Sequence, residues 1–335
     1  MTMNLSLIVC TYQRPVAVVK LLDSVLNQHR YPDEIVIVDG STNDLTREAL
    51  EVNSYPNLRY YSVDETQRGL TKQRNFGIAH VADHADVVCF LDDDTVLEPT
   101  FFEALLSTYT IYPDALAVGG IITNQVVWST VQPHEQIDSN YYVYDGWKRK
   151  EASRFQLRKR LGLASSNAPG IMPNFAHGRG IAFLPPSGKI YEVEHIMGGV
   201  ASYRKSVFEK LQFSTYFEGY ALYEDVDFSL RVSQLGKVLV NTQAKLAHYH
   251  DPGGRPNLFN YGKMVVRNGY YVWRVKYSSP PFIGRLKWNL NVGLLTLIRF
   301  SNVFDSGDKK GAWQETRGRL AGWWSVIINP PKQMN

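Results

Sequence analysis

The 335-residue chain reads as an α/β protein with a mostly parallel central sheet flanked by helices and a mainly helical C-terminal appendage. Three observations carry that expectation. Short apolar runs at 5–10, 34–39, 58–63 and 86–91 alternate with helix-like stretches. The runs are continuous rather than alternating, as in parallel strands buried on both faces. From residue 257 onward the chain turns basic and aromatic, with helical spacing in places. A chain of this length fits one large domain or a domain with an appendage. Its composition, 44% hydrophobic and 20% charged, excludes a disordered polypeptide.

The elements follow in order. "LSLIVC" (5–10) is a buried-strand run, and Pro15 then opens a helical stripe of Val16, Val19, Leu22, Val25 and Leu26. "EIVIVD" (34–39) and "LRYYSV" (58–63) are the next strands; a helix over "LTKQRNFGIAHVA" (70–82) precedes the strand "DVVCFL" (86–91). Residues 125–195 are irregular, rich in aromatics, Gly and Pro, and contain the basic run Lys148 to Arg160, "KRKEASRFQLRKR". Such a run suits a solvated helix or loop, or a lid or membrane-facing element. Then come "IMGGVASYRKSVFEKL" (196–211), "YEDVDFSLRVSQLGK" (223–237) and "AKLAHYHDPGGRP" (244–256); there is no internal repeat.

Charge is segregated along the chain. Residues 255–335 hold 13 Lys/Arg against 3 Asp/Glu, and the rest holds 23 against 29, within a net charge of +4. A basic, aromatic tail suggests an anionic partner such as a membrane surface, and no nucleic-acid partner is expected. "YGKMVVRNGYYVWRVKY", "RLKWNLNVGLLTLIRF" and "GRLAGWWSVII" could lie in a bilayer interface; packing on the rest of the chain or on a second copy in a homodimer is the alternative. Cys10 and Cys89 each sit inside an apolar run, which argues against a disulfide framework and fits a reducing cytosol. The N-terminus enters a strand by Leu5 without a basic leader, and no apolar run reaches the roughly 18 residues of a spanning helix. A cytoplasmic chain, peripheral at most on the inner face of the plasma membrane, is expected.

The chemistry centres on Asp92, Asp93 and Asp94, directly after an apolar strand. At an effective dielectric near 20, two unit charges about 4 Å apart repel by about 4 kcal/mol, so the cluster needs neutralisation. Ligands of parallel α/β sheets bind beyond the carboxyl ends of the strands. Asp39 and Asp92 both stand at such ends, so they should emerge on one rim. A helix cap explains one of the three acids, not all three. Acids at i and i+2 suit Mg²⁺ or Mn²⁺ bridging to a diphosphate, with Lys72 and Arg74 supplying cations to the anion.

With "LSLIVCTYQRP", "EIVIVDGSTND", "GLTKQRNFGIA", "VVCFLDDDTVLEP", "GGVASYRKSVF" and "YEDVDFSLR" in this order, the chain resembles family 2 glycosyltransferases of the GT-A fold over roughly residues 4–255. The resemblance implies a nucleotide-sugar donor, a divalent cation (Mg²⁺ or Mn²⁺) at an Asp-x-Asp motif and inversion by direct displacement. It puts Thr11, Tyr12 and Arg14 on the nucleotide pocket, Asp39 beside the base or ribose, Arg74 toward the diphosphate and Asp92 on the nucleotide. Asp94 becomes the metal ligand with Asp93 its neighbour, and Gly198 and Gly199 approach the sugar and acceptor. Glu224 and Asp225 match the acidic pair near the acceptor, with Asp225 as general base and Asp227 as its rival. In "AHYHD", His248 is the stronger and His250 the weaker candidate to complete the metal site. Here Asp39 is followed by Gly40 where the family commonly has a second acid. There is no Gln-x-x-Arg-Trp motif, so single addition is expected rather than polymerisation. The corresponding domains are a catalytic domain over 1–256 and a basic helical region over 257–335. The former comprises a nucleotide-binding half (1–124), an insertion or lid (125–195) and an acceptor half (196–256). The acceptor would be a saccharide or lipid-linked hydroxyl in cell-surface polysaccharide synthesis.

Two other classes fit parts of the pattern. "FLDDDTVL" also suits a haloacid-dehalogenase-like phosphatase, with Asp92 as nucleophile and Asp94 as acid/base, although that motif usually lies on a first strand. A non-catalytic carbohydrate- or membrane-binding module is the other, against which the Glu224–Asp225 pair speaks.

Overall fold

A computed structural model describes residues 3–217, 219–250, 256–305 and 307–332, so the "DPGGR" end of the 244–256 segment lies outside the described residues. These residues group into two compact units: 1–128 with 184–254, and 129–183 with 255–335.

The first unit is built on a nine-stranded sheet. Its strands are β1 (Leu5–Thr11), β2 (Glu34–Asp39), β3 (Leu58–Ser62), β4 (Val87–Asp92), β5 (Thr95–Leu97), β6 (Ala115–Ile122), β10 (Ile190–Val193), β11 (Val200–Arg204) and β12 (Lys237–His248). The order is β10-β12-β6-β11-β4-β1-β2-β3, with β5 on β12. β3, β2, β1 and β4 run parallel, as their continuous apolar runs predict. β11 enters antiparallel between β4 and β6, so the sheet is mixed there. Helices α1 (Pro15–Leu26), α2 (Leu45–Glu51), α3 (Leu70–Ala79), α4 (Phe101–Ile111) and α6 (Glu224–Ser233) belong to this unit.

The stripe expected on α1 is rotated in the structure. Val18, Leu21, Leu22 and Val25 are buried, whereas Val16 and Leu26 face solvent. Apolar residues surround most of this helix, so period alone does not select the buried face. α3 approaches the sheet closely at Gly77, where a Cβ would lie 2.8 Å from Ile8 Cγ2. Ile8, Ile37, Val88 and Leu91 are fully or almost fully buried in the sheet between the layers.

The second unit contains a three-stranded antiparallel sheet, β7 (Ser129–Thr130), β8 (Tyr141–Tyr144) and β9 (Trp147–Lys150), ordered β7-β9-β8. Asp145 and Gly146 take φ 50° and 77° in the β8–β9 turn, the left-handed geometry that tight hairpins favour and Asp-Gly supplies. α5 (Ser153–Arg160), α7 (Leu258–Lys276), α8 (Phe282–Asp305) and α9 (Lys309–Ile328) complete it. Asn257 and Asp308 cap α7 and α9 by accepting from Asn260 N and Gly311 N. The basic run 148–160 is therefore a strand and a helix, and it is not wholly solvated. Arg158 is 5% exposed and donates to Asn291 Oδ1 at 2.7 Å, Leu163 O at 3.4 Å and His177 O. Among the described residues no helix is long and apolar enough to cross a membrane.

Candidate active site

The strand registers converge on one rim. Thr11 pairs with Asp39 across β1 and β2, Cys10 with Asp92 across β1 and β4, and Leu91 with Val200 across β4 and β11. The first two pairings bring the carboxyl ends of three parallel strands level; the third sets Gly199 beside Asp92, whose N–H donates to Gly199 O at 3.4 Å. The chain turns after β4 into β5, and β5 pairs antiparallel with the end of β12, His248 opposite Thr95. Tyr249 N then donates to Asp94 O at 3.0 Å. The late histidine reaches the acidic triplet through that short ladder.

Each of the three carboxylates faces its own cation. Asp93 Oδ1 lies 2.8 Å from Arg14 Nη1 and its Oδ2 accepts from Thr11 Oγ1 at 2.7 Å. Asp94 Oδ1 lies 2.7 Å from His248 Nε2, with Arg14 3.7 Å from its other oxygen. Asp92 Oδ1 is 3.7 Å from Arg74 Nη2 and its Oδ2 is 4.0 Å from His248 Nε2. Burial raises the Asp93 carboxyl to about 6, held back by Arg14 and Thr11. It also raises Asp92, against the pull of Arg74 and His248. Burial alone would lower His248, but its hydrogen bond with Asp94 and the charge of Asp92 outweigh that and raise it above the ordinary histidine value.

One ligand atom each from Asp92, Asp94 and His248 lie within 4.8 Å of one another. Two carboxylates and an imidazole form a hard, mixed donor set suited to Mn²⁺ or Mg²⁺, so the residues fit the implied cation. His250 lies against His248 with ring centroids 4.1 Å apart and planes tilted by 41°, and meets Gln125 Nε2 at 2.5 Å, outside that donor set.

Arg74 is the hub between this cluster and α6. It is 2% exposed, and its Nη1 lies 2.5 Å from Glu224 Oε1 while Nη2 faces Asp92. Phe90 and Phe213 cover the guanidinium, with ring centroids 5.5 and 5.2 Å from Cζ. Burial pushes Glu224 up against the pull of Arg74. Glu224 Oε2 is buried without a hydrogen-bond partner, an atom that a ligand hydroxyl could satisfy. Asp225 Oδ2 accepts from Gly198 N at 3.0 Å and its Oδ1 from Val226 N at 2.8 Å. Both glycines are required by space. A Cβ on Gly198 would lie 2.9 Å from Arg74 Nη1, Asp225 Cβ and Glu224 Oε1, and one on Gly199 would collide with the Asp92 carboxylate.

Four residues stand apart from this cluster. Asp39 is buried at the end of β2, where Ser41 N and Oγ donate to Oδ1 at 2.8 and 2.5 Å and Tyr60 OH donates to Oδ2 at 2.7 Å. Lys72 directs its ammonium to Thr66 O at 2.9 Å. Asp227 is fully buried and paired with Arg231 at 2.6 Å, within its own helix. Tyr12 lies beneath Arg68, whose Cζ is 5.8 Å from the ring centroid while Nε donates to Gly40 O at 2.7 Å.

Sequence inspection does not reveal the part played by Gln73. Its Nε2 donates to Thr11 O at 3.0 Å and Val38 O at 2.9 Å, tying together the ends of β1 and β2 beneath the site. A polar residue on the inner face of a helix is the only trace it leaves, and that trace is common.

Comparison with known proteins fits this geometry. The Haloferax volcanii "Glucosyl-dolichyl phosphate glucuronosyltransferase" is 36% identical over 123 residues, 36% of this chain and 38% of that one. The chain thus spans well under half of that relative. The Salmonella typhimurium "O-antigen chain rhamnosyltransferase RfbN" is 24% identical over 284 residues, covering 84% of this chain and 75% of that one. Among solved structures, that of GalNAc-T7 with UDP, GalNAc and Mn2+ superposes with a TM-score of 0.51 at 16% identity, over 87% of this chain and 55% of that one. That likeness supports the GT-A fold alone. The family model "Glycosyl transferase family 2" matches residues 6–211, well over half of the chain, and the protein belongs to that family.

Proposed function

We propose that the chain transfers one sugar, with inversion, from a nucleotide-diphosphate sugar to a hydroxyl of a saccharide or lipid-linked acceptor in cell-surface glycan synthesis. UDP- and dTDP-sugars are the favoured donors. The observation that carries this is the meeting of Asp92, Asp94 and His248 at the carboxyl rim of the parallel strands, with Arg14 and Arg74 alongside. The names of the glucuronosyltransferase and the rhamnosyltransferase support the acceptor class.

Asp94 and His248 would hold Mn²⁺ or Mg²⁺, with Asp92 adjoining. Bound there, the cation would stabilise charge on the leaving diphosphate. Thr11, Tyr12, Arg14 and Asp39 are assigned to the nucleotide, with Asp93 holding Arg14 in place. Arg74 balances the anion. Lys72 would have to leave Thr66 O to join it. Gly198 and Gly199 let Arg74, Asp225 and Asp92 press against the backbone where the sugar and acceptor would approach.

Asp225 accepts the proton of the attacking hydroxyl. Its Oδ2 is oriented by Gly198 N, and among the described residues no basic side chain forms an ion pair with it, which leaves the carboxylate available as a base. Glu224 holds Arg74, and its second oxygen is available to the acceptor or sugar. The nucleotide role falls to residues 1–124 and the acceptor role to 196–256. The cytoplasmic face of the plasma membrane, contacted through 257–335, is the proposed location. Thermal-shift screening of UDP-, dTDP- and GDP-sugars with Mn²⁺, followed by product detection with a saccharide acceptor, tests the proposal. Stabilisation by one donor class with turnover is expected; stabilisation by none of them contradicts it.

A further inference from the structure

Helices α7, α8 and α9 border an open cavity of about 350 Å³, within the size range of small-ligand sites. Its wall is aromatic. Trp273 and Trp288 stack 5.5 Å apart with planes 2° from parallel, Tyr270 packs edge-on to both, and Trp323 closes one side. Arg274 and Arg285 also line it, and no acid does. Arg274 is held by Tyr270 OH at 2.8 Å, Tyr277 O at 3.1 Å and Ser278 O. Arg285 differs. It is exposed and donates its Nε to Pro280 O at 3.0 Å, and among the described residues its two Nη groups have no partner.

Exposed apolar rows lie on α8 and α9, and the one on α9 reaches the cavity. Ile327, itself part of the wall, is 65% exposed. On α8, Leu286, Leu290, Leu297 and Phe304 form an exposed row about a third of a turn round the helix from Arg285. On α9, Trp313, Leu320, Trp324, Ile327 and the neighbouring Ile328 form a second exposed row. Phe300 joins the two, its ring 6.1 Å from that of Trp313. Exposed Lys309, Lys310, Arg317 and Lys332 give the same unit a basic surface. An exposed apolar face of this extent needs a cover. A second copy would set these cations against each other, and free phosphate has no use for the apolar rows.

We propose that this cavity seats the phosphate headgroup of an anionic lipid, gripped by the Arg285 Nη groups, with the acyl chains leaving past Ile327 along the row of α9. The inference rests on the peripheral membrane contact proposed above and adds a defined headgroup site to it.

The test uses the full chain in two assays. The first is sedimentation with vesicles of phosphatidylcholine alone or mixed with phosphatidylglycerol. The second is tryptophan fluorescence on titration with soluble dihexanoyl-phosphatidylglycerol or with inorganic phosphate. The wild type should prefer the anionic vesicles and shift its emission with the short-chain lipid but not with phosphate. Arg285→Gln should weaken both responses about tenfold, while Arg285→Lys retains most of them. A Leu290→Ser/Ile328→Ser variant should lose vesicle binding yet keep the short-chain shift. Unchanged lipid binding by Arg285→Gln, or an equal shift with phosphate alone, overturns the headgroup site. In the first of these cases vesicle binding that depends on Leu290 and Ile328 leaves the membrane contact standing. Conversely, a lipid-induced shift without any vesicle binding removes the membrane contact and keeps the cavity.

Discussion

Three adjacent carboxylates persist in this fold because each has a separate counter-charge: Arg74 for Asp92, Arg14 for Asp93 and His248 for Asp94. The two arginines are permanent cations, whereas His248 is charged only when protonated. A metal must displace that proton, and the raised histidine keeps it to higher pH than a free imidazole would. Lowering pH from above the ordinary histidine range should therefore weaken Mn²⁺ binding progressively, and His248→Gln should flatten that part of the profile. Manganese titration followed by electron paramagnetic resonance checks both. Asp225→Asn should cut transfer about 10²–10⁴-fold with nucleotide affinity nearly unchanged, measured as kcat beside the Kd for the donor nucleotide. Full activity in that variant would shift the base to another acid. At this scale the sequence was most informative where chemistry is concentrated. Asp92 to Asp94, Arg74 and Glu224 were all legible as site candidates, and His248 was preferred to His250. Asp39 in its Ser41–Tyr60 cage and Lys72 on Thr66 O were not foreseeable, since those partners depend on where loops close.

Among the elements, the short β5–β12 ladder and the β4–β11 pairing determine the site. The first carries His248 to Asp94; the second presses Gly199 against Asp92. Gly199→Ala should displace the Asp92 carboxylate, lowering nucleotide affinity and costing about 1–3 kcal/mol of stability by overpacking. Donor titration together with chemical denaturation measures the two effects. The parallel strands were legible because burial on both faces leaves a continuous apolar run. The antiparallel insertion of β11 was not, because strand direction and neighbour leave no mark in a five-residue run. The buried face of α1 is hidden for a related reason: apolar residues on several sides allow more than one stripe. In the sequence Arg158 is one charge in a basic run. Its guanidinium instead satisfies Asn291 and two carbonyls in the second unit. Arg158→Met should leave those acceptors unsatisfied and lower stability by about 1–3 kcal/mol, seen as a reduced Tm.

For the molecule as a whole, the segregation of charge along the chain matches its division of material. The acids of the candidate site lie in the first unit, while the helices of 257–332 carry exposed apolar rows and basic side chains. Composition alone made that contrast legible, but not the grouping of 129–183 with the C-terminal helices, which depends on contacts distant in sequence. The central claim is that the Asp92–Asp94–His248 cluster binds a metal together with a nucleotide diphosphate. Calorimetric titration of UDP and dTDP into the wild type and Asp94→Asn, each with Mn²⁺ and with EDTA, tests it most directly. One of the two nucleotides should bind the wild type at least about tenfold more tightly with Mn²⁺ than with EDTA, and Asp94→Asn should lose that difference. Equal affinity with and without the metal in the wild type, or no binding of either nucleotide, would contradict it.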